Sequence, residues 1–271
     1  MKVLKRVLTG IILISSLLYI ALCLWFYNSQ DKALFKSVKH PSNYRYQFAI
    51  PFEERNITMK DGKRLNGLLF KAKASKGLIL WLPGGRGMLD SVGQDANSYT
   101  KMGYDIFLLN YRGFGKSEGK VSSEEQFNQD LLAVYDNLQK EYGNNIYIFG
   151  YSLSSGPAAF LATQRSPKSL VLIAPYYNFT EFVQKSLPYI PAGLLLKYKF
   201  PTDKYLPLVK CSVYLIHGEK DDKIDPNVSV RLKELVKSSG ELFILKDQKH
   251  NQFEKNPEYI SVVKKILDSS H

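Results

Sequence analysis

The sequence contains little cysteine and little histidine, and these scarcities exclude two kinds of protein. Two cysteines and four histidines in 271 residues are too few for the disulfide framework of a small secreted scaffold. No cluster of histidine and cysteine has the spacing of a metal site. Internal repeats are absent, and lysine and arginine are scattered rather than arranged in the basic stripe typical of nucleic-acid-binding proteins. We therefore expect no metal, no other cofactor and no nucleic-acid partner.

The remaining composition is that of an ordinary globular protein. Hydrophobic residues make up 45% of the chain and charged residues 23%, which argues against disorder. Thirty-seven lysines and arginines against 25 aspartates and glutamates give a formal charge of +12. A positive balance of this size suits a protein that works near anionic lipid or acidic ligands.

A continuous apolar run occupies residues 7–27 and follows the basic residues Lys2, Lys5 and Arg6. About 20 apolar helical residues span a bilayer. A cleaved signal peptide is the alternative, but its apolar stretch is shorter, about 7–15 residues, and ends in small residues. This run ends instead in aromatic residues around Trp25, which are typical of a membrane interface. The sequence predicts an uncleaved anchor over residues 1–27.

The basic residues before the run also predict an orientation. Positive charge is retained on the cytoplasmic side of a membrane, so the amino end is expected inside and the rest of the chain on the non-cytoplasmic side. Lys32, Lys36 and Lys39 follow the run and reduce this charge difference. Residues 28–49 are predicted to form a polar linker.

Beyond the linker, short apolar runs alternate with amphipathic helical patterns. Two runs flank an Asp-Gly turn at residues 61–62, which is a hairpin signal. Uninterrupted apolar runs, typical of strands buried on both faces, follow at residues 78–82, 106–109, 146–149, 170–174, 213–216 and 242–245. We predict one α/β domain over residues 50–271, with a mostly parallel, doubly wound sheet after an antiparallel hairpin.

The clearest chemical signal is the sequence G-Y-S-L-S at residues 150–154, between an apolar strand and a helix that opens with small residues. A serine nucleophile needs such a sharp strand-to-helix turn, because the turn exposes its hydroxyl. The helix N-terminus also favours a developing oxyanion. The usual G-x-S-x-G pattern ends in glycine, where this chain has Ser154. We predict Ser152 as the nucleophile; the alternative is a polar junction without catalysis.

A serine nucleophile needs a base, and the histidines differ in their positions. His40 lies in the linker, His271 is the last residue, and His217 ends a buried strand, where a structural role is favoured. His250 follows the last strand in a polar loop, and a base belongs at such a loop at the carboxyl edge of the strands. We therefore predict His250 as the base.

Candidates for the third member follow the preceding strand, where Asp221 and Asp222 are adjacent and Asp225 lies further on. Any of them gives the chain order serine, aspartate, histidine, which is the order found in α/β-hydrolases.

Four motifs resemble the α/β-hydrolase superfamily, particularly its serine aminopeptidase-like, membrane-anchored branch. N-Y-R-G-F-G-K-S at 110–117 resembles the family's D-Y-R-G-F-G-x-S, and H-G-E-K-D at 217–221 matches its H-G-x-x-D. L-P-G-G at 82–85 stands where the family has an H-G-N oxyanion turn, and K-H-N at 249–251 is similar to its G-H-N. The resemblance covers roughly residues 50–268 and implies an α/β-hydrolase fold.

The resemblance also implies roles for particular residues. It favours Asp221 over Asp222 as the triad acid, and it makes the backbone amides of Gly85 and Leu153 the oxyanion donors. Residues 175–210 are an aromatic and apolar insertion where the family has a cap over the site. Arg86, beside the oxyanion turn, is a candidate contact for an anionic substrate; its alternative is a solvated loop arginine.

The predicted function is that of a membrane-anchored serine hydrolase. It would cleave an ester or thioester of a small or lipid-like acyl substrate through an acyl-enzyme. Two alternatives stay open: a serine peptidase of the aminopeptidase-like type, and a catalytically silent membrane scaffold. Ser154, Pro83 and Lys249, which depart from the family's motifs, motivate the silent alternative.

Overall fold

A computed structural model of the chain describes residues 1–36, 38–87 and 89–269. Ser37, Met88, Ser270 and His271 lie outside the described residues, so the model says nothing about the position of His271.

The chain begins with one long helix, α1 (Lys2–Leu34), whose apolar side chains are mostly exposed. Among the residues that the structure describes, α1 is the one helix long and apolar enough to cross a membrane. The helix ends later than the predicted boundary between anchor and linker, because it continues seven residues past Tyr27. Gln30 lies in this added part of the helix and is only 3% exposed, because it contacts the rest of the protein.

Eight strands form one sheet in the order β1-β2-β4-β3-β5-β6-β7-β8. Strand β2 is antiparallel to both β1 and β4, and all other neighbours are parallel. This confirms the prediction of a mostly parallel sheet preceded by a hairpin. The strands are β1 (Glu53–Thr58), β2 (Arg64–Phe70), β3 (Leu78–Leu82), β4 (Asp105–Leu109), β5 (Ile146–Tyr151), β6 (Ser169–Ile173), β7 (Ser212–Gly218) and β8 (Leu242–Leu245).

The central strands are buried on both faces, as their uninterrupted apolar sequences predict. In β3, Leu78, Leu80 and Leu82 join the hydrophobic cluster on one side of the sheet, and Ile79 and Trp81 join the cluster on the other. Burial of this kind holds the strands in register and fixes the edge at which their carboxyl ends meet.

Helices cover both faces of the sheet. They are α2 (Leu89–Val92), α3 (Ala96–Lys101), α4 (Glu124–Tyr142), α5 (Ser155–Gln164), α6 (Phe179–Ser186), α7 (Ala192–Leu195), α8 (Thr202–Tyr205), α9 (Asn227–Leu235) and α10 (Pro257–Ser269). The short helices α6, α7 and α8 occupy residues 175–210, the segment predicted as a cap insertion.

Candidate active site

Ser152 lies at the sharp turn between β5 and α5. Its φ of +51° falls in the left-handed region, which costs a residue with a side chain about 1–3 kcal/mol and persists only where the surroundings enforce it. A Cβ at Gly150 would lie 2.5 Å from the Cβ of Ala158 and 2.8 Å from the carbonyl oxygen of Ser154. The turn is therefore as crowded as the small residues in the sequence predicted.

The structure brings Ser152, His250 and Asp221 into one hydrogen-bonded line. The Oγ of Ser152 is 3.0 Å from Nε2 of His250, and Nδ1 of His250 is 2.7 Å from Oδ2 of Asp221. The Asp221 side chain is completely buried, and the His250 side chain is 6% exposed. The arrangement has the geometry of a nucleophile, a base and an orienting acid; the catalytic roles themselves stay predictions.

The carboxylate of Asp221 is held on both of its oxygens. Oδ1 accepts hydrogen bonds from the backbone N–H of Lys223 at 2.9 Å and of Ile224 at 3.0 Å. Burial raises the pKa of Asp221, but hydrogen bonds from two imidazoles and two backbone N–H groups outweigh burial, so its pKa lies well below the usual range. Asp222 is exposed, and Asp225 instead accepts a hydrogen bond from the backbone N–H of Asn227.

His217 is the second imidazole on Asp221 and was assigned only a structural role from the sequence. It is fully buried at the end of β7, with Nε2 3.2 Å from Oδ2 of Asp221 and 3.0 Å from the carbonyl oxygen of Ile224. Its Nδ1 is 2.6 Å from the Oγ of Ser229. The sequence signal for this contact is the spacing in H-G-E-K-D: Asp221 follows His217 by four residues, so a tight turn after β7 can bring the two side chains together.

The glycine-rich turn after β3 lies beside the nucleophile. A Cβ at Gly84 would lie 3.6 Å from the Cβ of Ser152, and a Cβ at Gly85 would lie 3.1 Å from Cδ2 of Leu153. A Cβ at Gly85 would also lie only 2.5 Å from the carbonyl oxygen of Leu34, at the end of α1. The predicted oxyanion donors Gly85 and Leu153 are thus neighbours, and their role as donors stays a prediction.

Two departures from the family's motifs contact each other beneath the site. The Oγ of Ser154 donates a hydrogen bond to the carbonyl oxygen of Pro83 and lies 2.7 Å from the hydroxyl of Tyr111. The Tyr111 hydroxyl is also 3.1 Å from the same carbonyl oxygen. This triangle joins the turn that carries Ser152 to the turn that carries Gly85. Tyr111 is its third member, and no pattern in the sequence indicated this.

Arg86 is exposed on the glycine-rich turn. Burial and the negative charges of Glu254 and Asp221 raise the pKa of Tyr151, and the positive charge of Arg86 opposes this rise only in part. The Tyr151 hydroxyl lies 2.7 Å from the carbonyl oxygen of His250 and 2.9 Å from Oδ1 of Asn251. It therefore supports the loop that carries the histidine.

No group of three or more His, Cys, Asp or Glu side chains within residues 1–36, 38–87 and 89–269 is arranged to hold a metal ion. What the site contains is a serine, a histidine and an aspartate beside a glycine-rich turn, an arrangement suited to acyl transfer.

Comparison with protein families and curated proteins finds hydrolases. The family model described as serine aminopeptidase, S33, matches residues 73–201. The lysophosphatidylserine lipase ABHD12 of Danio rerio is 26% identical over 230 residues, which are 73% of this chain and 60% of that protein. An uncharacterized protein of Mycobacterium tuberculosis is 29% identical over 181 residues, 65% of this chain and 64% of that protein. Across the curated relatives that it matches, including others not described above, the chain spans between 42% and 64% of the relative's length.

Comparison with solved structures finds the same fold. An esterase of Pyrococcus furiosus superposes with a TM-score of 0.67 at 18% identity, covering 86% of this chain and 96% of that one. A soluble variant of the monoglyceride lipase of Saccharomyces cerevisiae gives 0.64 at 16% identity, covering 85% and 99%.

Proposed function

Because the chain belongs to the α/β-hydrolase superfamily, we propose that it is a membrane-anchored serine hydrolase that cleaves an ester or thioester of a lipid-like or acyl substrate. The observation that carries the proposal is the hydrogen-bonded line from Ser152 through His250 to Asp221. The three side chains come from separate segments of the chain, and a serine, an imidazole and a carboxylate joined in this order are the groups that general-base activation of a serine requires.

In the proposed reaction, the Oγ of Ser152 attacks the carbonyl carbon while its proton passes to Nε2 of His250, 3.0 Å away. Asp221 accepts the Nδ1–H hydrogen bond and stabilises the imidazolium that forms. The amides of Gly85 and Leu153 would stabilise the oxyanion of the tetrahedral intermediate. His250 then protonates the leaving alcohol or thiol, and an acyl-enzyme remains on Ser152. Water attacks that ester with His250 as base, which releases the acid and restores the serine.

Three features support a lipid-like substrate. Relatives in sequence and in structure are named as a lysophosphatidylserine lipase, a monoglyceride lipase and an esterase. The cap over residues 175–210 is rich in aromatic side chains such as Phe179, which packs on Tyr176 with ring centroids 5.2 Å apart. Arg86 supplies an exposed cation beside the glycine-rich turn, and we propose it as a contact for an anionic group of the substrate.

A peptidase is the second candidate, because the matching family model is described as a serine aminopeptidase. Turnover of an acyl ester, compared with that of an aminoacyl amide carrying the same chromophore, distinguishes the two functions. We expect the ester to be cleaved, and cleavage of the amide alone would favour the peptidase.

The first experiment is reaction of the purified full-length chain with a fluorophosphonate probe. The wild-type protein is expected to be labelled, and Ser152→Ala is expected to remain unlabelled, because the probe phosphonylates an activated serine hydroxyl. Ser261→Ala is the matched control: Ser261 is an exposed serine in α10 and its loss should not affect labelling. Equal labelling of wild type and Ser152→Ala would refute the assignment, and absence of labelling in both would favour the silent scaffold.

We also propose that α1 crosses the membrane and leaves the hydrolase domain on the non-cytoplasmic side. The apolar length of α1 and the basic residues before residue 7 support this orientation. Protease added to intact spheroplasts should digest the domain, and protease added to sealed microsomes should not. The reverse pattern would place the domain in the cytoplasm.

A further inference from the structure

The helix α1 is attached to the cap along one of its faces. Tyr19, Cys23, Phe26 and Gln30 recur at intervals of four, three and four residues, which puts them on one stripe of a helix. Phe26 and Gln30 are buried and Cys23 is partly buried, and Tyr19 is 45% exposed, whereas Trp25, on another face, is 67% exposed. The later part of the stripe therefore faces the protein, and the remaining faces of α1 present apolar side chains outward.

Hydrogen bonds fix both ends of this contact. The Tyr19 hydroxyl donates to the carbonyl oxygen of Tyr189 at 3.0 Å. Eleven residues further along, Nε2 of Gln30 donates to the carbonyl oxygen of Leu195 at 2.7 Å, and its Oε1 accepts from the backbone N–H of Lys197 at 2.9 Å. The contact runs over three turns of α1, so this part of the helix cannot move independently of the cap.

The last turn of α1 is fixed as well. Asp31 accepts a hydrogen bond from the Tyr198 hydroxyl at 2.8 Å and forms an ion pair with Lys197 at 3.3 Å. Phe35 follows the helix directly and packs edge-on against Tyr198, with ring centroids 5.1 Å apart. The helix joins the domain as a rigid extension rather than through a flexible tether.

The length of α1 then determines the depth of the cap in a membrane. A hydrocarbon core about 30 Å thick needs about 20 helical residues at 1.5 Å per residue. The apolar run before Tyr19 covers residues 7–18, or only about 18 Å at that rise. Lys5 and Arg6 directly precede this apolar part. If Tyr189 lay in water, the apolar part of α1 before Tyr19 would be too short to cross the hydrocarbon core, so spanning requires Tyr189 to lie within the bilayer.

The surface around Tyr189 carries exposed apolar side chains, as a surface within a bilayer requires. We define the cap tip as residues 187–195. Tyr189 and Leu194 are each 84% exposed, and Leu187 is 43% exposed. Large apolar side chains clustered at such exposure mark an interaction surface. Lys185 lies just outside the tip, where an ammonium group can reach lipid headgroups.

We propose that the cap tip lies in the same membrane leaflet as the adjoining part of α1, with bilayer lipid as its partner. The proposal rests on the membrane-spanning role of α1 in the proposed function. It has a consequence for substrate access: α1 continues only about 10 Å beyond Tyr27 before its last residue, Leu34, contacts the turn that carries Gly85. The site therefore lies close to the headgroup layer, where a membrane-resident ester can reach it without first entering water.

The test measures the depth of single side chains in the full-length protein, reconstituted in phosphatidylcholine–phosphatidylglycerol vesicles. The two native cysteines are replaced in Cys23→Ala, Cys211→Ala, and an environment-sensitive fluorophore is attached at Leu194→Cys. The matched control is Leu208→Cys, because Leu208 is also an exposed leucine, at 62%, but it lies before β7, at the sheet edge opposite the nucleophile. Lipids spin-labelled near the top of the acyl chain should quench most of the emission at position 194 and little at position 208.

Equal quenching at positions 194 and 208 would overturn the cap-tip proposal while leaving the anchor intact. Extraction of the protein from membranes by alkaline carbonate would overturn both the anchor and the cap tip. A second comparison uses activity: Leu194→Lys should reduce hydrolysis of a monoacylglycerol embedded in vesicles, relative to Leu208→Lys, without changing hydrolysis of a water-soluble p-nitrophenyl ester. Loss of the soluble activity in both wild type and variants would instead count against the proposed hydrolase.

Discussion

The triangle of Ser154, Tyr111 and Pro83 makes a quantitative prediction about how the two turns of the site are held together. Both hydroxyls lie within hydrogen-bond distance of the Pro83 carbonyl oxygen and of each other. Two hydroxyl protons can make only two hydrogen bonds at once, so one of the three contacts is always without a proton. Either hydroxyl alone can still satisfy the buried carbonyl.

Each single variant should therefore cost little. In Ser154→Ala the Tyr111 hydroxyl can still donate to Pro83, and in Tyr111→Phe the Ser154 hydroxyl can. We expect each change to lower the free energy of unfolding by about 1 kcal/mol, the net worth of one hydrogen bond. The double variant removes both donors and leaves a buried carbonyl oxygen unpaired, which adds about 1–3 kcal/mol. Its loss should exceed the sum of the single losses.

The assay is urea unfolding of the protein in detergent micelles. All variants carry Trp25→Phe, so that the tryptophan emission comes from Trp81, which is buried in the central sheet. The interaction energy is obtained from the wild type, the two single variants and the double variant. The rate of fluorophosphonate labelling, measured below the unfolding transition, should fall most in the double variant, because Pro83 begins the turn that carries Gly85. Additive losses from Ser154→Ala and Tyr111→Phe would refute the shared-acceptor argument.

Two further predictions concern acidic residues. Asp221→Asn should lower turnover of a p-nitrophenyl ester by about 10⁴-fold, because the acid fixes the tautomer of its histidine, while Asp222→Asn should change it little; a larger effect of Asp222→Asn would refute the choice of acid. The hydrogen bond from Arg112 lowers the pKa of Asp61 to about 2, so its contribution to stability is present at neutral pH and is lost between about pH 4 and pH 2. In Asp61→Asn the unfolding midpoint should therefore change less with pH over that range than it does in the wild type. An unchanged pH dependence of the midpoint would contradict the assignment.

The parts of the fold that the sequence predicted are those with local causes. The predicted run at residues 78–82 coincides with β3, which is buried throughout, because an uninterrupted apolar stretch between turn residues is typical of a buried strand. The run at residues 242–245 coincides with β8, but its predicted burial on both faces is wrong: β8 is the edge strand, and Ile244 is 41% exposed. The turn at Ser152 was predicted for the same reason, because the strand, the turn and the helix around it are consecutive in the chain.

What the sequence could not predict depends on contacts between distant segments. The last turn of α1 reads as a polar linker, because Gln30 and Asp31 are polar and their partners lie about 165 residues away in the cap. His217 shows the same difficulty at shorter range, since its contact with Asp221 depends on the path of the chain after β7. Periodicity describes one segment at a time, so it carries no information about such partners.

The three departures from the family's motifs can be judged by the backbone and contacts at each position. Glycine is favoured where φ is positive. The positive φ values near the histidine loop fall at Asp247 and Gln252 and not at Lys249, whose side chain is exposed. Ser154 has a φ of −84°, so a side chain is tolerated there, and its hydroxyl donates to the carbonyl of Pro83. Pro83 takes part in the contact only through its carbonyl oxygen. Proline lacks a backbone N–H but keeps the carbonyl group, so it can occupy this position. The backbone at these three positions therefore accommodates the substitutions, and the fluorophosphonate experiment distinguishes an active site from a catalytically silent fold.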